Sequence, residues 1–228
     1  MIDDRNSTGH DGDEHISAAQ FHAEPGTDGW HVLYGGAQTI YPTDSFATGA
    51  EFARRIAATT AEIGREPDID LRPHSVAVCT ARNPRGRLSR TDAEVARRVS
   101  AAGRELGLAP DPSQLQTVQI GVAQSAGIET LGFWRAALGY EIVDDVLADP
   151  LRRGPRLWFY ELDKPGRGRT HLDVAVPNTQ GEPRAQAALQ HGGRLAWGDD
   201  VPAWWGLASA DNHSVDIAAW GDVHDGVL

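Results

Sequence analysis

The chain has 228 residues, of which 40% are hydrophobic, with one cysteine and a formal net charge of −11. This length and composition are typical of one large packed domain or two small ones, and the acidic balance argues against a nucleic-acid partner. No apolar run is long enough to span a membrane. The single Cys79 excludes an internal disulfide. Because no secretory signal follows Met1, the sequence predicts a cytoplasmic protein.

The first half begins with a polar, acidic and aperiodic stretch, residues 1–15, which predicts a disordered tail. The pattern that follows predicts a domain over residues 16–109 with the order helix, strand, strand, helix, strand, strand, helix. Gly35-Gly36 separates the first two strands as a hairpin turn. The second helix begins after Asp44 or Ser45 and is stopped by Pro67. Its predicted buried face comprises Phe46, Ala50, Ala53, Ala57 and Ile63.

The second half begins after residues 110–114, a proline-rich stretch that predicts a linker. Residues 115–222 contain the pattern strand, helix, strand, strand, strand twice, without close identity between the copies. Residues 223–228 are predicted to be a tail. The sequence therefore predicts an α+β protein of two domains.

Several segments of the first half resemble pterin-4a-carbinolamine dehydratase. They are Gly29-Trp30, the helix that contains Phe46 and Phe52, "PDIDL" at 67–71, the strand with Val76 and Val78, and "LSRTDAEVARRVS" at 88–100. The resemblance implies a four-stranded antiparallel sheet with helices on one face. It also implies a homo-oligomer, a dimer or larger.

The catalytic positions of that family are mostly replaced. The family has a histidine pair before the proline, a third histidine after the next strand and an aspartate that opens the last helix. This chain has Arg65-Glu66, Asn83 and Asp92 there. Carbinolamine dehydration requires groups that exchange protons near neutral pH, which arginine and asparagine do not.

Three candidate catalytic groups remain in this domain: Glu66, His74 and Asp92. Asp92 lies three residues after Ser89, which is also the spacing of a helix capping box. The sequence leaves both roles open for Asp92.

Three segments of the second half resemble the vicinal-oxygen-chelate superfamily, which includes glyoxalase I, bleomycin-resistance proteins, epimerases and extradiol dioxygenases. They are "LGFWRAALGYEIV" at 131–143, "RTHLDVAVP" at 169–177 and "WGLASADNHSVDI" at 205–217. The resemblance implies paired βαβββ modules that form a cupped sheet around a ligand.

Metal enzymes of that superfamily place ligands on the first and last strands of each module. The matching positions are Gln119, His171 and either Asp216 or, two residues on, Ala218, which cannot bind a metal. Gln119, His171 and Asp216 form a set allowed for Zn²⁺, Fe²⁺ or Ni²⁺. Strand alternation places His171 and Asp173 on one face, where they are candidate catalytic residues.

Aromatic and basic residues of the second half are candidates for binding a planar ligand. They are Trp158, Tyr160, Arg169, Trp204, Trp205 and His213. Since Trp204 and Trp205 are adjacent on a strand, they point to opposite faces, and one of them leaves the core.

Three functions are compatible with the sequence. The first is a lyase or isomerase that acts on a small organic molecule through His171, with a degenerate dehydratase-like domain for assembly or pocket closure. The second is a non-catalytic binding protein of the antibiotic-resistance type, because the acidic second half suits a planar cationic compound. The third is an active 4a-hydroxytetrahydrobiopterin dehydratase.

Overall fold

The computed structural model describes residues 14–80, 87–125, 131–162, 170–208 and 214–220. The strands are β1 (His15–Ile16), β2 (His31–Leu33), β3 (Gly36–Pro42), β4 (Asp68–Arg72), β5 (Ser75–Cys79), β6 (Leu88–Ser89), β7 (Thr117–Ser125), β8 (Glu141–Val143), β9 (Val146–Ala148), β10 (Arg156–Leu162), β11 (Thr170–Pro177), β12 (Arg194–Trp197), β13 (Trp204–Ala208) and β14 (Ser214–Trp220). The helices are α1 (Ala18–Ala23), α2 (Phe46–Ala61), α3 (Arg90–Glu105), α4 (Leu131–Leu138) and α5 (Asn178–Gln190). The predicted element order is confirmed in the second half; the first half contains the predicted elements and, in addition, the two short strands β1 and β6.

The first domain is a four-stranded antiparallel sheet of order β2-β3-β5-β4 with α2 and α3 on one face. Val76 and Val78 of β5 point into the core, where they meet buried residues of both helices. Alternate residues of β5 lie on the other face of the sheet, because side chains alternate along a strand. The predicted sheet with helices on one face is confirmed.

The predicted buried face of α2 was wrong for most of its members, although Ile63, just after the helix, packs against the core. Phe46 is 55% exposed, and Ala50 and Ala57 are also exposed. The face that packs on the sheet comprises Gly49, Phe52, Ile56 and Thr60. Thr60 can be buried because its hydroxyl donates to the carbonyl of Ile56. The apolar pattern of the sequence did not reveal that a glycine and a threonine belong to the buried face of this helix.

The predicted tail was too long. His15 and Ile16 form β1, which pairs with Ser89 and Leu88 of β6, and Glu14 forms an ion pair with Arg90. Residues 1–13 and the predicted tail 223–228 lie outside the described residues.

The second domain is an eight-stranded sheet of order β12-β13-β14-β11-β7-β10-β9-β8. Each module contributes four neighbouring strands. In each, the first strand pairs in parallel with the last, β7 with β10 and β11 with β14. The modules join through the antiparallel pair β7 and β11. This is the predicted paired βαβββ architecture with a cupped sheet.

Helix α5 covers one face of the second module. Val176, Leu207 and Ile217 point toward this helix and are at most 4% exposed. Gly181 of α5 lies against β13 and β14, where a Cβ atom would be 2.6 Å from Ala219 Cβ and from the Trp205 ring. The opposite face of the sheet is the open face, which holds the candidate site described below.

A substitution at this contact tests the packing of α5. Gly181→Ala is expected to lower the free energy of unfolding by about 1–3 kcal/mol, because the added methyl group overpacks a rigid contact. Chemical denaturation measures the difference. Gly132→Ala in α4 is the matched control, since no atom lies within 4 Å of its added Cβ. Equal stability of the two variants would contradict the described contact.

The two domains meet at one end of the open face. Leu33 and Tyr34, at the end of β2, pack with Leu115 and with Ala175 of β11. Leu33 and Ala175 are fully buried there. The predicted linker forms a short 3-10 turn over Pro112–Gln114, capped by Asp111. None of the described helices is both long enough and apolar enough to cross a lipid bilayer.

Candidate functional site

A polar row crosses the four central strands of the second domain. The paired positions are Asp216 on β14, Asp173 on β11, Gln119 on β7 and Arg156 on β10. Directly paired residues of neighbouring strands project from the same face of a sheet. His171 shares this face, because it lies two residues before Asp173. The register therefore places Asp216, rather than Ala218, beside the predicted centre.

Three of these side chains form a compact cluster, which we call the His–Asp–Asp cluster: His171, Asp173 and Asp216. His171 Nε2 lies 3.0 Å from Asp216 Oδ1 and 3.5 Å from Asp173 Oδ1. Asp173 and Asp216 are only 4% and 3% exposed. Two carboxylates thus lie side by side in the protein interior with one imidazole between them.

Burial and neighbouring charges shift the pKa values of Asp173 and His171. Burial raises the pKa of Asp173 to about 6; the nearby His171 opposes this rise, the Asp216 charge adds to it, and the Trp158 indole opposes it. Burial also lowers the pKa of His171, but the Asp216 contact and the charges of both carboxylates outweigh it, so the pKa is raised. These pKa values suit Asp173 and His171 to gain and lose protons near neutral pH.

Some buried atoms of the cluster lack well-oriented hydrogen bonds. They are His171 Nε2, Asp173 Oδ1 and the neighbouring Trp158 Nε1. The contact between His171 Nε2 and Asp216 Oδ1 is an ion-pair contact at 3.0 Å. Unsatisfied buried polar atoms are costly and concentrate at functional sites. These atoms therefore mark the cluster as a candidate functional site.

Aromatic rings line the open face next to the cluster. Trp158 and Tyr160 stack with ring centroids 4.9 Å apart, and the Trp158 and His171 centroids are 6.2 Å apart. Gly121 makes this approach feasible, since an added Cβ there would be 3.0 Å from both His171 Cβ and the Trp158 ring. Trp158 therefore lies beside His171, and Tyr160 lies beside Trp158.

The structure distinguishes between the two adjacent tryptophans. Trp204 faces the cluster, and its Nε1 donates to Asp216 Oδ2 at 2.7 Å. Trp205 points the other way, is 5% exposed and packs under α5. Trp205 was therefore wrong as a ligand-binding candidate, because its strand position directs it into the core.

Not every predicted site residue can be located. Arg169 and His213, predicted to bind ligand, lie outside the described residues. Gln119 lies opposite Asp173 with its side chain partly buried. The predicted metal set of Gln119, His171 and Asp216 therefore shares one face, and Asp173 was missed as a member.

The candidate residues of the first domain have different surroundings. Glu66 and His74 are exposed, and His74 lies in the turn between β4 and β5. Asp92 is 1% exposed and forms a capping box with Ser89 at the start of α3. Arg65, at the position of the missing histidine pair, donates from Nη2 to Ser89 Oγ at 3.2 Å. Arg65 and Asp92 both support the start of this helix.

A divalent cation fits the His–Asp–Asp cluster. The three residues offer ligand atoms that all lie within 4.8 Å of one another. Two of these atoms, His171 Nε2 and Asp173 Oδ1, have no hydrogen-bond partner. A bound metal would supply the missing interaction. One nitrogen and two carboxylate oxygens suit Zn²⁺, Fe²⁺ or Ni²⁺. When bound, such a cation would polarise a substrate oxygen as a Lewis acid.

Comparison with known families identifies the second domain. Residues 119–218 match the family described as "Glyoxalase-like domain". The resemblance found for this half in the sequence is thereby confirmed. No curated protein matches the chain in sequence.

Two solved structures are similar to parts of the chain. A transcriptional coactivator/pterin dehydratase from Brucella melitensis has 20% identity and a TM-score of 0.30, and the match covers 33% of this chain and 82% of that one. An integron cassette protein from the mobile metagenome of the Halifax Harbour sewage outfall has 17% identity and a TM-score of 0.21, over 45% of this chain and 97% of that one.

Proposed function

We propose that the chain is a small-molecule enzyme of the lyase or isomerase type, in which the His–Asp–Asp cluster transfers a proton to or from the ligand. One observation supports this above all: a half-buried imidazole lies between two almost fully buried carboxylates. In the described part of the chain, His171 is the only cationic group within ion-pair distance of either carboxylate. The cluster can therefore hold a proton and donate it to a substrate, or accept a proton from one.

Proton transfer is efficient when the pKa of the acid or base lies near the working pH. The raised pKa values of Asp173, about 6, and of His171 meet this condition. Asp216 is fixed by the Trp204 indole and contacts the imidazole. Asp216 thus orients the ring and stabilises its charged form, as a carboxylate does in hydrolase triads.

The ligand would bind above the cluster. Trp158 and Tyr160 offer a flat apolar wall on one side, which suits a planar or unsaturated compound. Leu33 and Tyr34 of the first domain cover the end of the open face at Ala175. The first domain would therefore help to close the pocket, which excludes water and strengthens electrostatic interactions at the cluster.

The proposal is tested by deuterium exchange. Small 2-oxo and 2-hydroxy compounds are incubated with the protein in D₂O, and NMR measures deuterium incorporation at the carbon next to a carbonyl or carboxylate group. We expect exchange with at least one class of compound, lost in Asp216→Asn. Binding detected by tryptophan fluorescence without any exchange would contradict the proposal. That result would instead indicate a sequestering protein.

A further inference from the structure

We infer that Arg156 anchors a second binding site, which takes an oxyanion, carboxylate or phosphate, in the cavity between the two domains. The cavity has a volume of about 450 Å³. The residues that matter to the inference are Tyr34, Gln38, Thr117, Arg152, Arg153 and Arg156. Members of the His–Asp–Asp cluster are not among its lining residues, so this inference is independent of the proposed function.

Arg156 has unsatisfied hydrogen-bond donors. Its Nε and Nη1 atoms have no solvent contact and no hydrogen-bond partner within the described ranges. A guanidinium stays charged, and a buried charge without a partner is costly. The fold maintains Arg156 in this state at the first position of β10. Arg156 as a whole is half-buried, so an anion in the cavity would compensate its charge through the accessible part of the guanidinium.

The other arginines of the cavity wall are already neutralised. Arg153 donates from Nε and Nη2 to the two oxygens of Asp149. Arg152 forms an ion pair with Asp68 of β4. Arg156 differs because no ion pair to it is found among the residues that the structure describes. Asp68, Asp70 and Asp149 also line the cavity, and each is paired with another arginine, so Arg156 is the arginine of the described cavity wall that is left for a ligand.

The surroundings of Arg156 are polar but do not neutralise it. Burial lowers the pKa of Arg156, while Tyr34, Asp145 and Asp144 act in the opposite direction through their charges. The amide of Gln38 is engaged by the Tyr34 carbonyl and the Thr117 hydroxyl. A planar guanidinium binds carboxylate and phosphate oxygens in a bidentate manner, whereas it binds chloride less specifically. The ligand class is therefore a small organic acid or a phosphorylated compound.

Thermal unfolding in the presence of anions tests the site. Inorganic phosphate and acetate are each titrated against chloride at constant ionic strength. We expect one or both to raise Tm by about 3–5 °C at ten times the dissociation constant. A response to phosphate alone would assign a phosphorylated ligand, and a response to acetate alone would assign a carboxylate. No response to either would overturn the inference.

Variants separate specific binding from general salt effects, because phosphate stabilises many proteins by exclusion from their surface. Arg156→Met should lose the anion-dependent shift but keep or raise Tm without anion, since it removes a buried unpaired charge. Arg156→Lys should retain a weaker shift, and it replaces the methionine variant if that protein does not fold. Arg184→Met is the control, because the half-buried Arg184 is not among the residues that line the cavity. An unchanged shift in both Arg156 variants would overturn the inference.

Discussion

Replacing His171 by glutamine is expected to lower the rate of proton transfer by about 10²–10⁴-fold and to change ligand affinity only a few-fold. Glutamine fills a similar volume but does not accept and release a proton near neutral pH. His171 is the member of the cluster whose Nε2 contacts both carboxylates. Steady-state kinetics with a compound identified by deuterium exchange would measure kcat and KM separately.

Two further variants serve as a control and as a contrast for the His171→Gln result. His191→Gln makes the same chemical change at an exposed position after α5 and should leave kcat unchanged. Trp158→Ala should mainly weaken binding, because it removes one wall of the proposed pocket. A His171→Gln protein with an unchanged kcat would contradict the assigned role.

Asp173→Asn is expected to make the folded protein more stable above pH 6, by about 1–3 kcal/mol. The folded-state pKa of Asp173 is raised from 3.8 to about 6, chiefly by burial. Because the folded-state pKa is raised, the contribution of Asp173 to the free energy of unfolding is fully present below about pH 4. It is lost as the pH rises through 6. Asparagine does not titrate, so it avoids the cost of ionising a buried carboxyl group.

Chemical denaturation at a series of pH values measures this effect. The difference between the variant and the native protein should be small at pH 4, grow up to pH 6 and then level off. Asp199→Asn, at an exposed position in the same domain, is the control and should show no such rise. A variant less stable than the native protein at pH 8 would show that the charge of Asp173 is compensated in the fold.

The arrangement of the site was partly predictable from sequence. Alternation along β11 correctly places His171 and Asp173 on one face, and the module pattern places β14 beside it. Whether Asp216 or Ala218 lies at the site depended on the register between these strands. That register comes from long-range pairing, Asp173 with Asp216, and local pattern does not contain it.

Other features depended on which face of an element is covered. Trp204 and Trp205 alternate, but only the position of α5 decides which of them is buried. The buried stripe of α2 was missed because Gly49 and Thr60 are not apolar markers. Arg156 was overlooked although it shares the alternation of Trp158 and Tyr160, a signal that the sequence does contain.

The most direct test of the central claim is a pH titration of the His171 ring by ¹⁵N NMR, with Asp216→Asn for assignment of the effect. The structure predicts a His171 pKa above 6.5 in the native protein and a lower value in the variant. This result would show that Asp216 stabilises the protonated form of the His171 ring. A pKa at or below 6.5, or a ring nitrogen that binds a metal and does not titrate, would contradict a proton-transfer centre.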